Sequence, residues 1–148
     1  MRLGLIGLAF VATACASGGA SGSGGFQQPA ADADYGVEPN VEEEAKAHFE
    51  LTLKDPASAQ FRIGYVGKAY CNKGYMLGGD VIWTGYAANI YVNAKNSYGG
   101  YTGFQPYTLL WRDGAIFKRF DNDDFGNAPW GSTNLCRWEN GQTEMAGQ

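Results

Sequence analysis

The sequence predicts an α+β fold in which one N-terminal amphipathic helix packs on a curled antiparallel β-sheet. Three observations carry that expectation. Val41, Ala45, Phe49 and Leu53 recur every four residues, the spacing of a single helix face. From Gln60 onward the apolar period falls to two, which is strand behaviour. Asp113-Gly114 then sits between two β-prone runs, the favoured two-residue hairpin turn. One helix followed by several strands is the α+β pattern.

Residues 1–14 read as an export signal. Arg2 is the positive start, Leu3–Val11 is a short apolar core, and Ala12-Thr13-Ala14 are the small residues a signal peptidase accepts. That apolar run is too short to span a bilayer as a permanent helix. The triplet followed by Cys15 resembles the bacterial lipobox, whose cysteine becomes the acylated first residue of the mature protein. Ala12-Thr13-Ala14 and Ala14-Cys15-Ala16 also fit the A-x-A site of ordinary signal peptidase, which would release a free secreted product. The Gly/Ser/Ala-rich stretch after the cysteine is the kind of tether an anchored domain needs and favours the lipidated form. Ala16 in place of Asp resembles the context that sorts lipoproteins to the outer membrane.

The expected organisation is a signal at 1–14, Cys15 with a flexible tether to residue 39, one domain over 40–138, and a frayed polar tail at 139–148. A Gly/Ser coil of about 24 residues has an r.m.s. reach of about 25–30 Å. That lifts a domain off a membrane surface without crossing the periplasm.

Asn40-Val41-Glu42-Glu43 reads as a helix start. Asn40 is a good cap, Glu43 lies three residues on, and Glu42, Glu43 and Glu44 favour the positive end of the helix dipole. Glu42 with Lys46 and Glu50 with Lys54 are expected as exposed pairs one turn apart. Pro56 disfavours helical geometry at Asp55, so the helix should end near Lys54 after about four turns. Asp55-Pro56-Ala57-Ser58-Ala59 then reads as a single turn, with Pro56 in its first helical position.

Phe61, Ile63 and Tyr65 alternate with Arg62, Gly64 and Val66, and further strand candidates are Tyr75–Leu77, Val81–Tyr86 and Ala88–Asn93. Pairing Arg112 with Ala115 across the Asp113-Gly114 turn puts Tyr107, Leu109 and Trp111 on one face with Ile116, Lys118 and Phe120. Thr108, Leu110 and Arg112 share the other with Ala115, Phe117 and Arg119. The first face is the more apolar and is expected against the helix.

Charge and cysteine content narrow the function classes. The full chain carries −4, and loss of Arg2 with the signal makes it −5. Its basic residues are scattered among aromatics and acids in no stripe, so nucleic acid is not an expected partner. With Cys15 lipidated, Cys71 and Cys136 form an even pair for an oxidising compartment, and a disulfide between them is expected. The alternative is two free buried thiols. One histidine and two distant cysteines lack the spacing of a zinc site, and no metal or cofactor is expected.

Leu53-Lys54-Asp55-Pro56-Ala57-Ser58-Ala59-Gln60-Phe61-Arg62 and the run Val92-Asn93-Ala94-Lys95-Asn96-Ser97-Tyr98-Gly99-Gly100-Tyr101-Thr102-Gly103-Phe104 carry a resemblance. They are similar to L-x-D-P-x-S-A-x-F-R and V-N-A-K-N-x-x-G-G-Y-x-G-F, patterns of a group of small, functionally uncharacterised bacterial envelope lipoproteins. The resemblance spans Leu53–Phe104 and implies a shared fold, without an activity. Where a Cys-Gly pair often precedes V-N-A-K-N in that group, this chain has Asn89 and Ile90. The group's disulfide scheme therefore does not transfer to Cys71 and Cys136.

Within the second run, Asn93, Lys95 and Asn96 offer donors while Tyr98, Tyr101 and Phe104 offer ring faces. Glycines at 99, 100 and 103 permit positive φ or close backbone approach. Such a loop suits a shallow site for a glycan or an extended peptide. The composition is commoner in a tight turn whose aromatics fill the core and whose Asn side chains satisfy backbone groups, and that reading is favoured. His48, the single histidine, lies on the flank of the helix stripe with no nucleophile tied to it, and reads as structural. Asp121-Asn122-Asp123-Asp124 begins like a calcium loop, but Phe125 and Ser132 occupy its fifth and twelfth positions, so a solvated turn is expected. Trp83, Trp130 and Trp138 are candidates for an exposed aromatic patch.

The sequence thus points to a non-enzymatic, lipid-anchored envelope protein, in the outer membrane with its domain in the periplasm or at the cell surface. The expected partners are the membrane, through the lipid, and an envelope protein or glycan. A small lipoprotein inhibitor of a lysozyme-like enzyme is the alternative. An envelope-polymer hydrolase ranks third, because the acids do not pair across an evident cleft.

Overall fold

The computed structural model describes residues 26–74, 77–121, 125 and 134–141. The signal, Cys15 and the Gly/Ser run up to residue 25 lie outside the described residues, as do Trp130 and the last seven residues. Helix α1 (Val41–Thr52) and a 3-10 turn (Pro56–Ser58) precede five strands. These are β1 (Gln60–Lys73), β2 (Val81–Asn93), β3 (Gln105–Arg112), β4 (Ala115–Asp121) and β5 (Asn134–Trp138). They form one antiparallel sheet in the order β4-β3-β2-β1-β5.

This corrects the expected fold class. The protein is predominantly β, a single uncurled sheet with one short helix. Length explains why the sheet does not curl over α1. Twelve helical residues span about 18 Å, whereas β1 and β2, with 14 and 13 residues, each run about 40 Å or more. Each face of the sheet also carries its own buried cluster, so burial is divided between the two faces and not gathered on one concave side. On one face Val41, Ala45 and Phe49 of α1 pack on Ala88, Ile90, Val92, Leu109 and Trp111. On the other, Ala69, Cys71, Ala87, Leu110, Cys136 and Trp138 gather with Tyr65, Trp83, Phe120 and Phe125.

Local chemistry accounts for α1. Its apolar stripe is buried as the four-residue spacing requires. Asn40 forms no side-chain cap bond to the backbone. Its Nδ2 donates to Glu43 Oε2 at 2.9 Å, and its backbone N–H donates to Glu44 Oε1 at 3.1 Å. The reciprocal half of a capping box is thus supplied one residue later than expected. The helix stops at Thr52, two residues early, because Leu53 turns extended and packs beside the helix-side core. Lys46 meets Glu42 at 2.6 Å. Lys54, now beyond the helix, donates to Ser97 Oγ at 3.1 Å in place of pairing with Glu50.

The strands depart from expectation where burial on two faces erases alternation. Val81–Tyr86 and Ala88–Asn93 are one strand, because Ala87 is fully buried on the face opposite Ala88. Of the expected strand at Tyr75–Leu77, Leu77 sits in a turn, with its N–H on Gly74 O at 2.8 Å, and residues 75 and 76 lie outside the described set.

At the β3–β4 hairpin, Asp113 and Gly114 both take positive φ (52° and 77°), as the favoured two-residue turn demands. Tyr107, Leu109, Trp111 and Ile116 face α1 as expected. A bulge between Leu110 and Trp111 then shifts the register, so Lys118 lies opposite Leu110 and Phe120 opposite Thr108. Lys118 and Phe120 therefore move to the other face, where Phe120 meets Phe125 at 5.6 Å.

The stretch expected to be tether is, from Phe26 to Gly36, a strap across the part of the helix-side face that α1 leaves bare. Gln27 N–H donates to Gly79 O at 3.0 Å, and Asn72 Nδ2 donates to Gln27 O at 2.8 Å. Tyr70 OH reaches Gln28 Oε1 at 3.0 Å. Arg112 Nη1 donates to the carbonyls of Asp34 (2.7 Å) and Thr84 (2.9 Å), and its Nη2 meets Asp34 Oδ2 at 2.8 Å. Tyr35 is buried, with its hydroxyl on Glu139 Oε1 at 3.0 Å.

Candidate functional site

The Gly-aromatic loop leaves β2 at Asn93 and enters β3 at Gln105. Lys95 and Tyr101 form an isolated antiparallel bridge that closes its neck. Above the neck, Asn96 N–H donates to Gly100 O (2.8 Å) and Gly99 N–H to Asn96 O (3.0 Å). Asn96 Oδ1 accepts the backbone N–H groups of Tyr98 (2.9 Å) and Gly100 (3.1 Å). The turn needs φ of 81° at Gly99, which a side chain rarely adopts. Asn93 Oδ1 accepts Gly103 N–H at 3.0 Å, and its Nδ2 donates to Gln60 Oε1 at 3.2 Å. Both asparagines are thus occupied in building the loop.

Ser58 joins this loop to the Asp-Pro turn. Its Oγ accepts Lys95 N–H at 3.1 Å and donates to Asp55 O at 3.0 Å. Tyr101 OH donates to Ser58 O at 3.3 Å. The two sequence runs that carried the resemblance are one substructure at one end of the sheet.

What the loop offers outward is aromatic and cationic. Tyr98 is 96% exposed and Tyr101 49%, while Phe104 is half-buried. The Arg62 guanidinium lies 3.9 Å from the Phe104 ring centroid, and Lys95 Nζ is 5.6 Å from that of Tyr101. Of the six loop residues singled out, Asn93 and Asn96 are structural, Lys95 and Phe104 are half-buried, and Tyr98 and Tyr101 are presented. Sequence reasoning missed Arg62, because its stacking partner is 42 positions away and no local pattern links them.

The remaining candidates separate clearly. Cys71 and Cys136 form a disulfide, with Cα atoms 4.0 Å apart on directly paired residues of β1 and β5. Trp138 is buried beside it, contrary to the expected exposed patch. It packs between Tyr65 and Phe125, with ring centroids at 4.8 and 5.0 Å. Trp83 is half-buried and stacks on Phe117 at 5.3 Å. A Cβ at Gly85 would overlap both the Trp111 carbonyl oxygen and the Trp83 ring, so the close packing there needs glycine. Asn89 is buried and accepts a hydrogen bond from Thr108 Oγ1 at 3.0 Å.

His48 sits on the flank of α1 with its Nε2 buried and unpartnered. Burial first, then the Arg119 charge, push its pKa below the usual histidine value. Asp121, the first residue of the calcium-like run, ends β4 and accepts a bond from Arg119 Nε at 2.8 Å. Residues 122–124 lie outside the described set. Among the described residues no group of three His, Cys, Asp or Glu is arranged to hold a metal ion. An open groove of about 430 Å³, lined by Glu42, Lys46, Ala59, Phe61 and Ile63, runs between α1 and β1.

No protein-family model, no curated protein and no solved structure matches this chain.

Proposed function

We propose that this is a lipid-anchored bacterial cell-envelope protein whose domain is a non-enzymatic binding module for an envelope protein or cell-wall component, with the loop Asn93–Phe104 as its contact surface. The observation that carries this reading is polarity of the domain. The strap enters at Phe26–Gln28, against Gly79 and Asn72 where β1 hands over to β2. The loop stands at the other end of β2, about 40 Å away.

If Cys15 is the anchor, the chain free to act as tether is Ala16–Gly25, with a reach of only about 16–19 Å. The strap holds the remainder on the sheet. A domain tethered from that end keeps its strap end near the lipid surface and carries Tyr98 outward. An exposed ring on a loop already fixed by hydrogen bonds loses little entropy on binding, the condition under which aromatic contacts contribute most.

The test combines two variants. Cys15→Ala should shift the protein from the membrane fraction to the soluble periplasm or halt its maturation. In the lipid-free protein (residues 16–148), Tyr98→Ala should leave melting temperature unchanged while abolishing retention on isolated cell envelopes. Membrane association without acyl mass on the mature N-terminus would sink the anchor. Undiminished envelope retention by Tyr98→Ala would sink the loop.

A further inference from the structure

The aromatic rings of the loop are accompanied by cations that make no ion pair among the described residues. The Arg62 guanidinium carbon lies over the Phe104 ring, 3.9 Å from its centroid. Lys95 lies over Tyr101, and Lys54 reaches only the hydroxyl of Ser97. Among the described residues the ion pairs are made by Lys46, Arg112 and Arg119, and none involves Lys54, Arg62 or Lys95. In a chain of net charge −4, Lys54, Arg62 and Lys95 thus stand at this end of the sheet without an ion pair among the described residues.

Much of the loop backbone is at the same time bonded within the loop. Asn96 Oδ1 takes the N–H groups of Tyr98 and Gly100, Asn93 Oδ1 takes that of Gly103, and the neck is bridged. Those N–H groups are therefore not offered to a peptide strand. A Cβ built at Gly99 or Gly103 would meet nothing within 4 Å, so the surface between the rings is open. Flat ring faces, open backbone and unpaired cations match a polymer with C–H faces for stacking and repeated anionic groups for the cations.

We infer that this end of the domain binds an anionic polysaccharide, with Tyr98 as the stacking platform and Arg62 and Lys95 as the anion-pairing groups. The inference rests on the proposed binding role of the loop and names its ligand class. Because the attraction is local in a protein of opposite overall charge, binding should weaken steeply as salt screens it.

The experiment uses the mature protein with polygalacturonate as the anionic probe and dextran as the neutral one, in affinity electrophoresis and titration calorimetry. Polygalacturonate should bind and dextran should not, with binding lost by about 0.5 M salt. Tyr98→Ala, Arg62→Gln and Lys95→Gln should each weaken binding about tenfold or more at unchanged melting temperature.

Equal binding of dextran, or polygalacturonate binding untouched by all three variants, would overturn the ligand class or its site. Should polygalacturonate fail to bind while Tyr98→Ala still loses envelope retention, the anionic class alone falls and the binding role stands. Failure of both arms removes both.

Discussion

The Ser58 hydroxyl accepts the backbone N–H of Lys95 at 3.1 Å, across 37 residues of chain. One side chain thereby locks the turn after α1 to the neck of the loop between β2 and β3. Tyr101 reinforces the lock through its hydroxyl on Ser58 O. The loop is consequently part of the scaffold at its base and free only at its tip.

Ser58→Ala should cost about 1–2 kcal/mol, since it strands a part-buried donor at Lys95. Urea unfolding should show a lower midpoint at unchanged slope, and the amides of Lys95, Tyr98 and Gly100 should exchange faster. Unaltered exchange in the loop would show that the lock does not hold it.

The strap makes a differential prediction. Asp34→Asn removes only an ion pair whose acid is exposed, and should cost less than about 1 kcal/mol. Arg112→Met also removes the donors to Asp34 O and Thr84 O, and should cost about 1.5–3 kcal/mol. Proteolysis near residue 36 should accelerate only in the second variant. Equal losses in both would mean that the carboxylate, not the carbonyls, anchors the strap.

Reduction of Cys71–Cys136 should destabilise the domain by up to about 4 kcal/mol, given the sequence separation of 65. Cys71→Ala should reproduce the effect. The bridge ties β5, an edge strand of five residues, to its neighbour β1, so the β5 amides should lose protection first. Melting curves with and without reductant, read beside amide exchange, check both statements.

Two groups should bend the stability profile at opposite ends of the pH range. Burial and the Glu139 contact raise the Tyr35 hydroxyl from 10.0 to about 12. The unfolded chain then ionises first, and the stability Tyr35 contributes is lost as pH climbs from about 10 to 12. His48 behaves inversely. Its pKa is lowered from 6.5, so the unfolded chain takes the proton first and stability falls as pH drops below that value. Tyr35→Phe should flatten the alkaline limb and His48→Gln the acid limb in pH-dependent urea unfolding. Parallel curves for variant and parent at either end would reject that assignment.

Some of this architecture is written locally. The stripe Val41, Ala45, Phe49 is buried where its spacing demands, because helix periodicity depends only on neighbours one turn away. The Asp113-Gly114 turn follows from two residues that tolerate positive φ. The Cys71–Cys136 pair was legible by parity. In the loop, the asparagines and glycines announced a built turn, and only the exposure of Tyr98 separated its tip from its scaffold.

What the sequence could not show depends on which surface covers which. Periodicity reports that a residue is apolar, but a sheet buried on both faces has no polar side to alternate with, so Ala87 read as a break in what is one strand. The bulge that sends Phe120 to the other face reflects the summed fit of both hairpin strands to two different cores. Polar strap residues such as Gln27, Gln28 and Asp34 look like linker until the sheet supplies Asn72, Tyr70 and Arg112 as partners. Turn chemistry, helix phase and cysteine parity were determined by the sequence itself, through interactions a few bonds or one turn long. Strand length, register, strap docking and the exposure of Tyr98 were decided by tertiary structure, because each depends on burial between segments tens of residues apart.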